Sequence, residues 1–167
     1  MNLEIFINYL TRFISYNWFL VPFLAALALA ALFLDKNFGP RVFLAVVIAV
    51  VLHFLIDEFF LKKFLTKFSP GRRRPYLVHP ENVRALGKKL TDSSFPSNHM
   101  AGTLSVLTVF LYYYKDWWPT IIGFAFLMGF ARVRNGMHYW SDVLAGAILG
   151  IGWALLGIYL TNNFIIL

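Results

Sequence analysis

The sequence predicts an all-α fold, a polytopic transmembrane helical bundle of five to six spans with its site at one membrane face. Three observations predict it. Of the 167 residues, 59% are hydrophobic and 19% aromatic, while 14% are charged, against about 25% in an average soluble domain; the mean hydropathy is +0.66. Long apolar stretches, near the ~20 residues that a bilayer core takes per helix, alternate with short polar punctuation. The remaining cations, histidines and carboxylates gather where those stretches begin or end.

Taken in order, Leu3–Ser15 is short and contains Arg12, which leaves two readings: a sixth short span, or a helix lying in the interface. Trp18–Leu34 is a span, bounded by Asp35-Lys36-Asn37 and Gly39-Pro40, and Val42–Leu61 is the next, ending in Lys62-Lys63. After a long polar loop come Ser97–Tyr114, Pro119–Val133 and Tyr139–Leu160. Tyr112, Tyr113, Tyr114, Trp117 and Trp118 form an aromatic belt, which fixes a water interface near Lys115-Asp116. The size prior gives a single domain over residues 1–167, without internal repeats. With no cysteine, disulfides and thiolate metal sites are excluded. Glu4 stands where a cationic signal region would be, so the first segment is expected to stay on the protein.

Counting turns puts the polar motifs together. If the span ending near Leu61 runs outward, the Lys62–Phe95 loop lies on one face, the Lys115 turn on the other, and the Arg132–Asp142 link returns to the first. The site is therefore expected to combine Lys67 and Arg74-Pro75, then Pro96-Ser97-Asn98-His99, then Arg132, His138 and Asp142.

Each motif has a chemical reading. On a helix, residues at i and i+4 share a face with Cβ atoms about 5–6 Å apart, so Asp142 is expected to accept from Nδ1–H of His138. That leaves Nε2 as a nucleophile. Arg132 can hold the non-bridging oxygens of the same phosphate in its planar fork. Pro96-Ser97-Asn98-His99 reads as a helix N-terminus, where unpaired amides and the Ser97 hydroxyl cradle an anion. His99 in that first turn is placed to protonate a leaving oxygen and then to deprotonate water. Each motif alone also has a plain reading: a polar pair tying helices together, a capped helix, a basic loop on anionic head groups. The joint spacing is what makes them specific.

His53 and Asp57 repeat the His-Asp spacing in another span, without an arginine nearby. They read, with Glu58, as structural polar contacts or a helix-end anchor; the functional alternative is a proton path or a lipid-head contact. Asp142, Gly146 and Gly150 fall on one helix face, which allows close approach of a neighbouring helix within the monomer or, alternatively, of a second copy.

On Lys67 with Arg74-Pro75, Pro96-Ser97-x-His99, and Arg132 with His138 and Asp142, the chain resembles the phosphatidic acid phosphatase type 2 superfamily, membrane lipid phosphatases that share a site with vanadium haloperoxidases. The resemblance covers Lys67 to Asp142. It implies a metal-independent phosphatase with Lys67, Arg74 and Arg132 on the phosphate, Ser97, Asn98 and nearby amides beside them, His138 as nucleophile, His99 as acid and base, and Asp142 orienting His138. The family's usual glycine in the second motif is Asn98 here, and its serine before the motif arginine is Ala131. The first narrows backbone freedom in the cradle, and the second deletes a hydroxyl donor.

The implied reaction passes through a phosphohistidine, with side-chain cations doing what magnesium does elsewhere, so no cofactor and no metal are expected. The partners expected are the bilayer and a membrane lipid phosphate, not a nucleic acid, with the oligomeric state left open and the monomer favoured. Substrates implied by the resemblance are lipid A 1-phosphate, undecaprenyl pyrophosphate, phosphatidylglycerol phosphate and phosphatidic acid. Two rival readings are a non-catalytic binding or transport protein for anionic head groups, and a zinc hydrolase ligated by His99, His138 and Asp142. The expected location is the bacterial inner membrane. The site face holds eleven Lys and Arg, counted from Lys62 to Lys89 plus Arg132 and Arg134, against Lys36, Arg41 and Lys115 opposite. The positive-inside rule would turn that face to the cytoplasm; phosphate binding accounts for several of these cations, and the resemblance favours the periplasm.

Overall fold

Gly39-Pro40 and Trp118-Pro119 each open a helix, because proline in the first turn gives up an amide that has no intrahelical acceptor anyway. A computed structural model of the chain describes residues 2–61, 71–83, 85–86, 90 and 92–165. Its elements are α1 (Leu3–Ile14), α2 (Asn17–Leu34), α3 (Gly39–Leu52) running on into a π-helical segment (His53–Leu61), the short α4 (Pro75–Val78), α5 (Asn98–Tyr113), a 3-10 turn (Lys115–Trp117), α6 (Trp118–Arg134) and α7 (Trp140–Phe164). No strand occurs among the described residues. The all-α bundle expected from the sequence is the fold observed.

Among the described residues, three helical stretches are long and apolar enough to cross a membrane: Asn17–Leu34, Gly39–Asp57 and Trp140–Phe164. α5 and α6, with 16 and 17 residues, rise about 24 and 26 Å, most of the ~30 Å hydrocarbon core. α1 has 12 residues and rises only about 18 Å, too little to cross alone. It lies instead against the end of α6, where Arg134 Nε donates to Asn8 Oδ1 at 3.0 Å and Asn135 Nδ2 donates to the Thr11 carbonyl at 3.0 Å. The segment is thus a single short helix docked on the end of α6.

α7 is the central element, packed along both α5 and α3, with α2 against α3 and α6 against α5. Its inward face carries Gly146, Gly150, Ala154, Gly157 and Ile158, while Leu144, Ile148, Ile151 and Leu155 point outward and are exposed. Small residues inside and large aliphatic ones outside is the arrangement a helix needs when lipid removes the hydrophobic drive between helices and close van der Waals packing must hold them. A Cβ on Gly146 would run into the Ser97 carbonyl and one on Gly150 into the Ala101 carbonyl, so both glycines are in backbone contact with α5. The small-residue face is thus spent inside the monomer.

The end of the bundle away from the motifs closes with polar contacts of its own. Tyr114 O–H donates to Asp35 Oδ2 at 2.8 Å, and Tyr113 O–H donates to Asn162 Oδ1 at 2.9 Å. Burial, and then the bond to Asp35, push the Tyr114 phenol up to about 12. The α2–α3 and α5–α6 turns and the end of α7 therefore share one face, as turn counting requires.

Candidate active site

At the other end, three loops meet. Arg74, just before α4, is buried; its Nη1 donates to the Met137 carbonyl at 3.1 Å and its Nη2 to Asp92 Oδ1 at 2.8 Å. Arg132, in the last turn of α6, is 5% exposed, and its Nη2 donates to His138 Nε2 at 3.2 Å. Ser97 caps α5, and its amide donates to the Asp142 carbonyl at 3.0 Å. His99 lies in the first turn of α5, close enough that its charge opposes a second one on His138. Arg74, Ser97, Asn98, His99, Arg132, His138 and Asp142, drawn from positions as far as 68 residues apart, are thus assembled at one face. Lys67 falls outside the described residues.

The motif forms a helix N-terminus, as expected. Pro96 precedes the Ser97 cap and follows Phe95 through a cis peptide bond. The amides of Asn98, His99 and Met100 have no intrahelical acceptor at this position, so an anion can be met by backbone N–H groups there. Around them, buried polar atoms without a partner are Ser97 Oγ, both side-chain polar atoms of Asn98, Arg74 Nε, Arg132 Nε and Ser94 Oγ. A buried unpaired donor costs about 1–3 kcal/mol. Several on one small surface, next to guanidinium groups, suit a multiply charged acceptor such as a phosphate.

The main correction concerns His138. Its Nδ1–H donates to the Ser94 carbonyl at 2.7 Å, and the nearest Asp142 oxygen is 3.9 Å away, too far for a hydrogen bond. His138 precedes the helix at its cap region and Asp142 lies in its first turn, so the i to i+4 geometry of a continuous helix does not apply. Asp142 has other work. Its Oδ2 accepts the Tyr139 amide at 2.9 Å, closing the start of α7, and its Oδ1 accepts from Arg72 Nη1 at 2.7 Å. Arg72 also donates to Ser141 Oγ at 2.7 Å and lies over the Tyr139 ring, 4.0 Å from its centroid.

Two participants were thus not assigned from sequence. Arg72 is one of three consecutive arginines, and nothing in the run distinguishes it. Ser94 contributes a backbone carbonyl, which no side-chain motif can reveal. The tautomer is the same as expected: with Nδ1 protonated, Nε2 presents its lone pair toward Arg132. Burial first, then the charges of Arg132 and Arg74, hold His138 well below the ordinary imidazole range. Its ring is therefore neutral at neutral pH, the state a nitrogen nucleophile needs.

His53 and Asp57 do form the pair that their spacing suggests. Nδ1–H of His53 donates to Asp57 Oδ2 at 2.8 Å, and Trp153 Nε1 donates to the same carboxylate at 3.0 and 3.1 Å. The pair ties the π-helical segment to α7, in line with the structural reading. Among the described residues no cluster of three or more His, Cys, Asp or Glu side chains is arranged to hold a metal ion.

The PAP2 superfamily model matches residues 41–166, three quarters of the chain and all of the described site. Among curated proteins, the chain is 34% identical over 131 residues to the bacitracin transport permease protein BcrC of Bacillus licheniformis, covering 78% of this chain and 61% of that protein. It is 38% identical over 88 residues to the undecaprenyl-diphosphatase BcrC of Bacillus subtilis, covering 52% and 42%. It is 31% identical over 123 residues to the lipid A 4'-phosphatase of Bacteroides thetaiotaomicron, covering 69% and 53%. The chain thus spans between about two fifths and three fifths of the length of these relatives. Among solved structures, Aquifex aeolicus LpxE superposes with a TM-score of 0.65 at 25% identity, covering 94% of this chain and 86% of that one. The chain is an integral membrane protein.

Proposed function

We propose, for a chain that belongs to the PAP2 superfamily, the hydrolysis of a phosphomonoester or pyrophosphate on a membrane lipid. The observation that carries this reading is His138 Nε2, buried and held 3.2 Å from Arg132 Nη2 among unpartnered anion donors.

In this reading Arg74, Arg132, Ser97, Asn98 and the first amides of α5 bind the phosphate, with Lys67 a further cation. His138 Nε2 attacks phosphorus while His99 donates a proton to the departing lipid oxygen. That leaves a phosphohistidine, with the positive imidazole beside the phosphoryl group. Water, deprotonated by His99, then attacks phosphorus, the N–P bond breaks, and inorganic phosphate leaves with Nε2 neutral again. The Ser94 carbonyl keeps the proton on Nδ1 and stabilises the charge that the ring gains. Phosphoryl transfer asks chiefly for positioning and charge compensation, and paired guanidinium groups supply both. Arg72 and Asp142 act indirectly, by fixing the start of α7 and hence the loop that holds His138.

The bacterial inner membrane, with the site facing the periplasm, is the location this reading favours. Release of inorganic phosphate from purified protein in detergent, offered lipid A, undecaprenyl pyrophosphate, phosphatidylglycerol phosphate and phosphatidic acid, tests it. Turnover of at least one is expected. Tight binding of these lipids without turnover of any would favour the head-group binding protein instead.

A further inference from the structure

A cavity of about 490 Å³ runs between α2, α3 and α5, from Asn98 and His99 at the site down to Val106, and is walled mainly by aliphatic and aromatic side chains. It is continuous with the proposed phosphate site, because Asn98 and His99 line it and also form the first turn of α5. Its apolar wall suits the hydrocarbon part of the lipid that bears the phosphate.

One strip of this wall is not apolar. Thr103 is fully buried and its Oγ1 has no partner, and both polar atoms of Asn98 are likewise unpartnered. His53, 4% exposed, lines the same cavity, and its Nε2 lies 3.3 Å from where a Cβ on Gly102 would be. The missing side chain at Gly102 lets the imidazole edge reach the α5 wall. Since Nδ1–H is given to Asp57, Nε2 is the ring nitrogen left to meet a ligand. The strip therefore holds one imidazole nitrogen, one hydroxyl and one amide in a wall whose other polar side chains are Asn17 and His99. Unmet groups in such surroundings are costly, and a plain hydrocarbon chain would leave them unmet.

Resting on the phosphatase reading above, we propose that His53, Thr103 and Asn98 form a specificity strip that binds a hydroxyl group on the substrate lipid. The hydroxyl donates to His53 Nε2 and accepts from Thr103 Oγ1 or Asn98 Nδ2. Asn98 and Thr103 are five residues apart on α5, a rise of about 7.5 Å. The hydroxyl therefore belongs within about two helical turns of the phosphate, as on a 3-hydroxyacyl chain. Asp57, held in turn by Trp153, is the group that sets the His53 tautomer.

The test uses a matched pair, phosphatidic acid with 3-hydroxyacyl chains and its unsubstituted counterpart, with polyprenyl phosphate as a third substrate. A site that hydrogen-bonds a substrate hydroxyl discriminates strongly against the analogue lacking it, so kcat/KM is expected to favour the hydroxylated lipid roughly tenfold or more. Thr103→Val and His53→Gln are each expected to shrink that ratio to within about twofold, by the same hydrogen-bond logic. Replacing His53 disturbs the buried Asp57, and Thr103→Val, which removes an unpartnered hydroxyl, keeps the question open to measurement if that variant does not fold. Equal kcat/KM for the matched pair, or an unchanged ratio in Thr103→Val, overturns the inference while leaving the phosphatase reading intact. Absence of phosphate release from any lipid overturns the phosphatase reading. In that event binding of the matched pair to the whole protein decides the strip by itself, equal affinity overturning it.

Discussion

Arg132 Nη2 stands 3.2 Å from His138 Nε2 while the Ser94 carbonyl accepts from Nδ1–H at 2.7 Å. A histidine held between a fixed cation and a fixed carbonyl has its tautomer and its protonation state set together. Nε2 is kept bare by the guanidinium that would also bind the incoming phosphate.

This sandwich predicts a pH dependence. Burial, Arg132 and Arg74 lower the proton affinity of His138 from its usual 6.5, so the imidazole stays neutral as the pH falls below that value. The acid limb of kcat/KM, which reports the free enzyme, is therefore expected below pH 6.5. The sign for stability is the same. Below 6.5 the unfolded chain takes up a proton that the folded site resists, so stability contributed by the neutral ring is present above 6.5 and is lost as pH drops. A pH–rate profile with its acid limb at 7 or higher would contradict the assignment.

His138→Ala is expected to abolish phosphate release while the protein still purifies as a folded membrane protein. Arg132→Lys should cost at least tenfold in kcat/KM, because an ammonium cannot span both His138 Nε2 and phosphate oxygens as the planar guanidinium can. Single-turnover phosphate release from detergent-solubilised protein measures both, and wild-type rates in His138→Ala would remove it as the nucleophile.

Asp142→Asn and Arg72→Ala should behave alike, since each breaks the 2.7 Å pair between them and neither removes a proton carrier or the nucleophile. A partial loss, on the order of ten- to a hundredfold in kcat, is expected for both. The double variant should be little worse than either single one, as for residues acting through one contact. Additive losses would show separate roles.

Gly146→Leu is expected to lower activity about a hundredfold without touching a catalytic group, because its side chain must displace the Ser97 carbonyl and with it the start of α5. Gly152→Ala is the control on the same helix. Nothing lies within 4 Å of a Cβ there, and turnover should match the wild type. Equal activity of Gly146→Leu and Gly152→Ala would show that this helix contact does not position the site.

Chelator is expected to leave the rate unchanged, and vanadate to inhibit as a phosphoryl mimic, if arginine cations supply the charge compensation. Loss of activity in chelator, restored by zinc or magnesium, would turn the reading toward a metal hydrolase.

Much of this protein is written in its sequence because a bilayer permits few solutions. Apolar stretches of fixed length must be helices, their number fixes which loops share a face, and so the gathering of Arg74, Ser97, His99, Arg132, His138 and Asp142 follows from counting. The i, i+4 and i+8 pattern of Asp142, Gly146 and Gly150 likewise announced a close helix contact, since small residues have no other use on an inward face. What the tertiary structure alone decided is who touches whom inside that gathering. Whether Asp142 met His138 or Arg72 depended on where α7 begins, and a helix start is set by competing caps within a residue or two. The acceptor for His138 proved to be the Ser94 backbone carbonyl, 44 residues away, and every residue carries such a group. The side of α7 on which Gly146 packs, and the close approach of His53 Nε2 to Gly102, depend on distances between helices. No periodicity along one chain encodes those distances.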